Sequence, residues 1–215
     1  MKMRMQIKNL ILAVFMVCMA TPAFAMVYIE PLAGGYNGTY KLPLSFAGTD
    51  VSFSGTTGGI AYGLRGGFVL PGDMIFFGAS LGMGKGIIEQ EKRLPGPPAD
   101  VAISLFGALV GIKMMDLRLW VGYNFNDKAS FTDRAPGSLP DDYTGSSIFA
   151  GLGYTLPMSF KLAINAEYIM HTYTKFTDGV TGQVIKLPSV QGLTSYDKPL
   201  ATSEMFIFLS APFMF

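Results

Sequence analysis

Ser203–Phe215 reads SEMFIFLSAPFMF. Counting back from the last residue, Phe215, Phe213, Ala211, Leu209, Ile207 and Met205 are all apolar. The ends of soluble domains are commonly frayed and polar. A period of two is the spacing of a β-strand with one apolar face. The stretch predicts a strand that carries its apolar face through the terminal phenylalanine, as part of a wall of strands.

The same pattern recurs upstream. In LRLWVGYNFN, Leu117, Leu119, Val121, Tyr123 and Phe125 share one face, and Arg118, Trp120, Gly122, Asn124 and Asn126 the other. In FKLAINAEYIMH, Phe160, Leu162, Ile164, Ala166, Tyr168 and Met170 oppose Lys161, Ala163, Asn165, Glu167, Ile169 and His171. In SSIFAGLGYTL, Ile148, Ala150, Leu152, Tyr154 and Leu156 oppose Ser147, Phe149, Gly151, Gly153 and Thr155. Runs of roughly ten alternating residues between turn residues are the signature of a transmembrane β-barrel. The longest mature apolar run, Val101–Ile112, is too short for a spanning helix, which needs about 20 residues.

Composition agrees with a lipid-facing wall. Half of the 215 residues are hydrophobic and only 14% are charged, against roughly 25% charged in a typical soluble domain. The opening, MKMRMQIKNLILAVFMVCMATPAFA, has basic residues, a short apolar core and an Ala23-Phe24-Ala25 site. That is the form of a secretory signal peptide, residues 1–25, cleaved after Ala25. The single cysteine, Cys18, lies in this segment and follows Phe15, Met16 and Val17, which do not suit lipidation. The mature chain, 26–215, then holds no disulfide. Losing Lys2, Arg4 and Lys8 takes 16 basic residues to 13 against 15 acidic, a formal charge of −2, and nothing indicates nucleic acid.

Eight strands are predicted, near 27–40, 58–70, 74–86, 100–112, 117–126, 144–156, 160–174 and 202–215. The connections, 41–57, 71–73, 87–99, 113–116, 127–143, 157–159 and 175–201, alternate long and short. Outer-membrane barrels have short periplasmic turns and long outer loops. The expected fold is therefore all-β, an eight-stranded antiparallel up-and-down transmembrane β-barrel, with both termini periplasmic. A secreted β-sandwich also has short alternating strands, but gives no reason for this rhythm of loop lengths.

The terminal pattern resembles the C-terminal signal of Gram-negative outer-membrane proteins. The resemblance implies that Ile207, Leu209, Phe213 and Phe215 are read by the barrel-assembly machinery. With the signal peptide, length and strand number, the chain resembles a small barrel of the OmpA/OmpX type across its mature length. No periplasmic peptidoglycan-binding domain is expected after Phe215. Pro31 and Pro212 depart from the pattern. Proline lacks a ladder donor, so a bulge or missing bonds are expected where the first and last strands meet.

An eight-stranded barrel is filled by its own side chains. The inward positions include Glu30, Arg65, Arg118, Lys161 and Glu167, with Asn124 and Asn165. These charges are expected to pair into a structural polar plug, since unpaired buried charge is costly. The alternative is a narrow channel for small or apolar solutes. A lipid A-modifying enzyme is the third reading. One such group uses His, Ser and Glu, but His171 is followed by Thr172-Tyr173-Thr174 with no His-x-Ser, and a lone histidine at a strand end reads as a rim residue. No cofactor or metal site is expected, with one His and no mature Cys. GMGKG, Gly82–Gly86, lacks the frame of a phosphate loop, and the Asn37 acceptor motif is discounted in this compartment. The expected partners are outer-membrane lipid and lipopolysaccharide, the assembly machinery, and an extracellular partner at the loops. The function read from the chain is a non-enzymatic, envelope-structural or surface-binding role.

Overall fold

The computed structural model describes residues 26–46, 49–72, 74–90, 98–133, 141–158, 160–187, 189–191, 194–196 and 200–215. The signal-peptide reading of residues 1–25 lies outside them. The strands are β1 Met26–Phe46, β2 Thr49–Val69, β3 Ile75–Gln90, β4 Ala99–Met114, β5 Leu117–Asp133, β6 Asp141–Thr155 and β7 Ala163–Thr177. Three short strands follow, β8 Val184–Lys186, β9 Ser189–Gln191 and β10 Thr194–Tyr196, and then β11 Leu200–Ser210 and β12 Phe213–Met214.

β1 to β7 pair in chain order, all antiparallel, and β11 pairs with both β7 and β1. The sheet closes on itself. β11 and β12 are two segments of the eighth strand, so the fold is a closed eight-stranded barrel. Closure pairs each of the eight wall strands on both sides through the barrel's body.

Side chains alternate as the sequence requires. Ile148, Ile164, Tyr168, Met170, Ile207, Leu209 and Phe213 stand exposed on the outer wall. Along β7 and its approach, the outward apolar residues run from Phe160 to Met170. At ~3.3 Å rise and ~40° tilt, the part of this band within β7, Ile164 to Met170, is roughly 15 Å tall, and Phe160 in the turn extends it. Inside, Tyr28, Leu32, Tyr36, Phe76, Trp120, Phe149, Ile169, Phe206 and Phe208 form the core. Glycine makes room for them. A Cβ on Gly151 would sit 2.6 Å from the Trp120 Nε1.

The proline seam keeps its register. Leu32 pairs with Ser210 and Ile29 with Phe213, so the two strands advance in step with no bulge. Ala211 N donates to the Pro31 carbonyl at 3.1 Å. The reciprocal bond is impossible because Pro31 has no N–H. The last residue closes the wall: Phe215 N donates to Val27 O at 2.9 Å, and Val27 N to Phe215 O at 3.1 Å.

The short turns lie at the end shared by Met26 and Phe215. Leu70 N bonds Ile75 O at 2.8 Å across the first, with Gly72 at φ 89°. Met115 takes φ 55° in the second, a conformation uncommon for a residue with a side chain.

The connection 41–57 is not a long loop. β1 runs to Phe46 and β2 starts at Thr49, paired throughout from Met26–Val69 to Phe46–Thr49. KLPLSF and TDVSF alternate like the strands below them, so the ladder simply continues upward. The strand 160–174 starts late, at Ala163. Leu156 N donates to Leu162 O at 2.7 Å, which closes the turn that precedes β7.

Candidate functional site

The interior polar residues form three layers. Lowest, near the short turns, is a ring drawn from four strands. Arg118 Nη2 donates to Glu30 Oε1 at 2.7 Å and to Asn165 Oδ1 at 3.1 Å. Asn165 Nδ2 donates to Ser210 Oγ at 2.7 Å, and Ser210 Oγ donates to Glu30 Oε1 at 2.5 Å. All four residues are buried.

One step up, Trp120 and Glu167 each stand two residues beyond Arg118 and Asn165. Glu167 Oε2 receives hydrogen bonds from Arg65 Nη2 and, at 2.6 Å, from Trp120 Nε1. The Arg65 guanidinium also lies 4.6 Å from the Trp120 ring centroid. A desolvated cation over an indole adds to the ion pair. Around and above this layer the lumen is apolar. A void of about 30 Å³ is bordered by Leu32, Ala61, Ile103, Phe149 and Phe208 together with Arg65 and Glu167, and a smaller one of about 10 Å³ lies beside Thr57, Thr202 and Glu204. Each is room for about one water.

The third layer centres on His171, enclosed with its side chain 0% exposed. Nδ1 is 2.6 Å from Asp127 Oδ2, and Nε2 is 3.4 Å from Glu204 Oε2. An ionised carboxylate only accepts, so Nδ1 carries the proton toward Asp127. Tyr173 OH lies 3.3 Å from the same nitrogen, its ring stacked on the imidazole at 5.8 Å. Asn124 donates to Ser147 at 2.9 Å nearby.

Glu30, Arg65, Arg118 and Glu167 are thus buried and joined in two cross-lumen pairs. Lys161 is not with them. It is exposed in the turn before β7, because that strand begins at Ala163. The rim reading of His171 is also corrected, since the residue is interior. Asp127 was hidden by a bulge. On β5, Asn124 pairs with Ser147 but Asp127 with Gly145, so Phe125 and Asn126 together face one residue of β6. Past that point the alternation flips. Asn126 is exposed and Asp127 is fully buried. Glu204 needed no bulge. It falls on the face opposite Met205, Ile207 and Leu209, and counting back from Phe215 marks it as inward.

Above the lumen, Asp178 organises the start of the last loop. Its Oδ1 accepts from Thr181 N at 2.6 Å, Thr181 Oγ1 at 2.9 Å and Val180 N at 3.0 Å. The Thr181 amide, then its hydroxyl, hold the carboxyl below its usual pKa. The turn is therefore fully held above the unfolded value of about 3.9 and released as pH falls through the lower folded value. The protection of the Thr181 amide, its exchange rate relative to the intrinsic rate at each pH, should fall across that acid window. Unchanged protection down to full protonation would remove Asp178 as the anchor.

No protein-family model matches the chain, and no curated protein matches it. Solved structures do. Neisserial surface protein A superposes at a TM-score of 0.48 with 12% identity, over 86% of this chain and 96% of that one. The outer membrane protein OprG from Pseudomonas aeruginosa gives 0.45 and 13%, over 88% and 97%. The attachment invasion locus protein of Yersinia pestis gives 0.43 and 13%, over 88% and 99%. At such identity only a fold is compared. Its own closure, strand number and apolar outer band give this chain the architecture of a small outer-membrane β-barrel.

Proposed function

We propose that the chain is a closed, non-enzymatic outer-membrane barrel that acts through its outer end and outer wall. The observation that carries this reading is the occupied lumen. Two buried ion pairs, Glu30–Arg118 and Arg65–Glu167, cross it, and Trp120 and Phe149 fill the space between the strands. A channel needs a continuous wet path. Among the described residues the two lumen voids, about 30 and 10 Å³, each hold on the order of one water and are bounded by apolar and paired charged groups.

Among the described residues, the Asp127–His171–Glu204 group is the arrangement that most favours catalysis. Histidine held by a carboxylate is a familiar base. Its enclosure speaks against that use, since a general base must come within hydrogen-bond reach of substrate. Proteoliposome conductance tests the closed reading: the parent protein is expected to show no steady current, and a sustained open level would promote the channel. The same preparation should migrate differently on a gel before and after boiling. Equal migration, with little β signal in circular dichroism, would sink the barrel itself.

The terminal strand carries a further expectation. Phe215 holds Val27 only through backbone atoms and points its ring outward, 76% exposed. Phe215→Ser should therefore refold in detergent as the parent does, yet reach the outer membrane of cells at lower levels while export proceeds. Parent-like levels in cells would remove the assembly-signal role.

A further inference from the structure

Lys175 on β7 and Lys186 on β8 stand directly opposite each other. Both side chains are exposed. Opposed residues of an antiparallel pair have Cβ atoms ~4.5–5.5 Å apart, where like charges repel. The register extends the row. Lys175 faces Thr144 on β6, and Thr144 faces Lys128 on β5. Three lysines and a hydroxyl thus lie along one cross-strand line of the outer wall. A second bulge puts Lys175 there. Thr144 pairs with Lys175 but Gly145 with Tyr173, leaving Thr174 as the extra residue. Tyr173 points into the lumen, while beyond the bulge Phe176 packs on Tyr143 at 5.0 Å and Lys175 turns outward.

The neighbouring carboxylates are bound to groups other than Lys175 and Lys186. Asp142 binds Lys128 at 2.8 Å and Ser130 at 2.5 Å. Asp141 accepts from Gly179 N at 3.0 Å, and Asp178 holds its own turn. Among the described residues, neither Lys175 nor Lys186 has a carboxylate partner. Depth supplies the second argument. Four residues along β6 separate Thr144 from the exposed Ile148, a rise of roughly 10 Å on a strand tilted ~40°. Headgroups fill the layer next to the hydrocarbon, and lysine stems reach down toward it.

We propose that this row is a binding site for phosphate groups of lipid headgroups in the leaflet at the long-loop end, with Lys175 and Lys186 sharing one phosphate. A shared anion converts their repulsion into two attractions, while Thr144 flanks it with a donor and Lys128, paired with Asp142, stands at the far end of the row. The proposal rests on the membrane-barrel reading above.

The test uses the full mature barrel in phosphatidylcholine nanodiscs, with and without phosphorylated lipid A. Phosphorylated lipid A should raise the parent's unfolding temperature, and dephosphorylated lipid A should not. K175A/K186A should weaken lipid A retention roughly tenfold or more, and K161A, at the opposite end, should leave it unchanged. K186E should raise the unfolding temperature in phosphatidylcholine alone, because it places opposite charges face to face, while abolishing the response to lipid A. Equal retention by K175A/K186A and parent, or an equal response to dephosphorylated lipid A, would overturn the site. Inorganic phosphate alone matching the effect of lipid A would overturn the lipid as its source. Failure of the parent to enter nanodiscs would instead remove the barrel reading on which the site rests.

Discussion

Glu167→Ala is expected to lower the unfolding free energy by about 3–5 kcal/mol, the range for removing one partner of a buried ion pair. Glu167 accepts from both Arg65 and Trp120, and its side chain and that of Arg65 are 7% and 3% exposed. Alanine leaves a guanidinium without a counter-charge and an indole N–H without an acceptor. Gln183→Ala is the appropriate control, an exposed loop position whose backbone, not its side chain, is hydrogen-bonded. Asp178→Ala is not, because that carboxylate holds its own turn. The test has a second arm. Replacing both partners, Arg65→Met with Glu167→Leu, should recover most of the loss, since apolar pairs of similar volume commonly replace buried ion pairs without penalty. Thermal unfolding in detergent reads both arms. If Glu167→Ala matches the Gln183→Ala control, water reaches the pair and the plug is wet. If the lumen's closure depends on this layer, Glu167→Ala should also conduct where the parent does not.

The second large effect is expected at Asp127. Asp127→Ala leaves the enclosed His171 Nδ1–H without its 2.6 Å acceptor, at a cost of roughly 3 kcal/mol for a buried charged partner lost. Asn126→Ala, one residue away but exposed on the other side of the bulge, should stay within about 0.5 kcal/mol of the parent. The comparison reads the strand register directly. Without the bulge the two residues would exchange faces and the order of the two losses would reverse. Chemical denaturation of the two variants in parallel decides it.

Much of the wall was legible in the chain because lipid and lumen impose opposite polarities on alternate residues. The outward set of β5, Leu117 to Phe125, and the inward Glu30, Arg65, Arg118 and Glu167 follow from counting by two. The terminal SEMFIFLSAPFMF told the same story for its outward face, and the buried Glu204 falls on the opposite one. Local alternation has no information about where a turn ends, so Lys161 was counted as strand although the backbone reaches β7 only at Ala163. For the same reason the ladder above Tyr40, which continues to Phe46, looked like loop.

What tertiary structure alone decided is partnership. Arg65 meets Glu167 from 102 residues away, and Arg118 meets Glu30 from 88. Which cation reaches which carboxylate depends on the stagger of the closed strands, a property of the whole barrel and of no segment. The bulges at Phe125–Asn126 and at Thr174 act in the same way. Each inserts one residue, reverses the facing of everything beyond it, and so brings Asp127 to His171 and turns Lys175 toward Lys186. Sequence alternation determined which residues share a face up to each bulge. Past it, only pairing with the neighbouring strands sets the phase, because a one-residue slip exchanges the two faces of a strand.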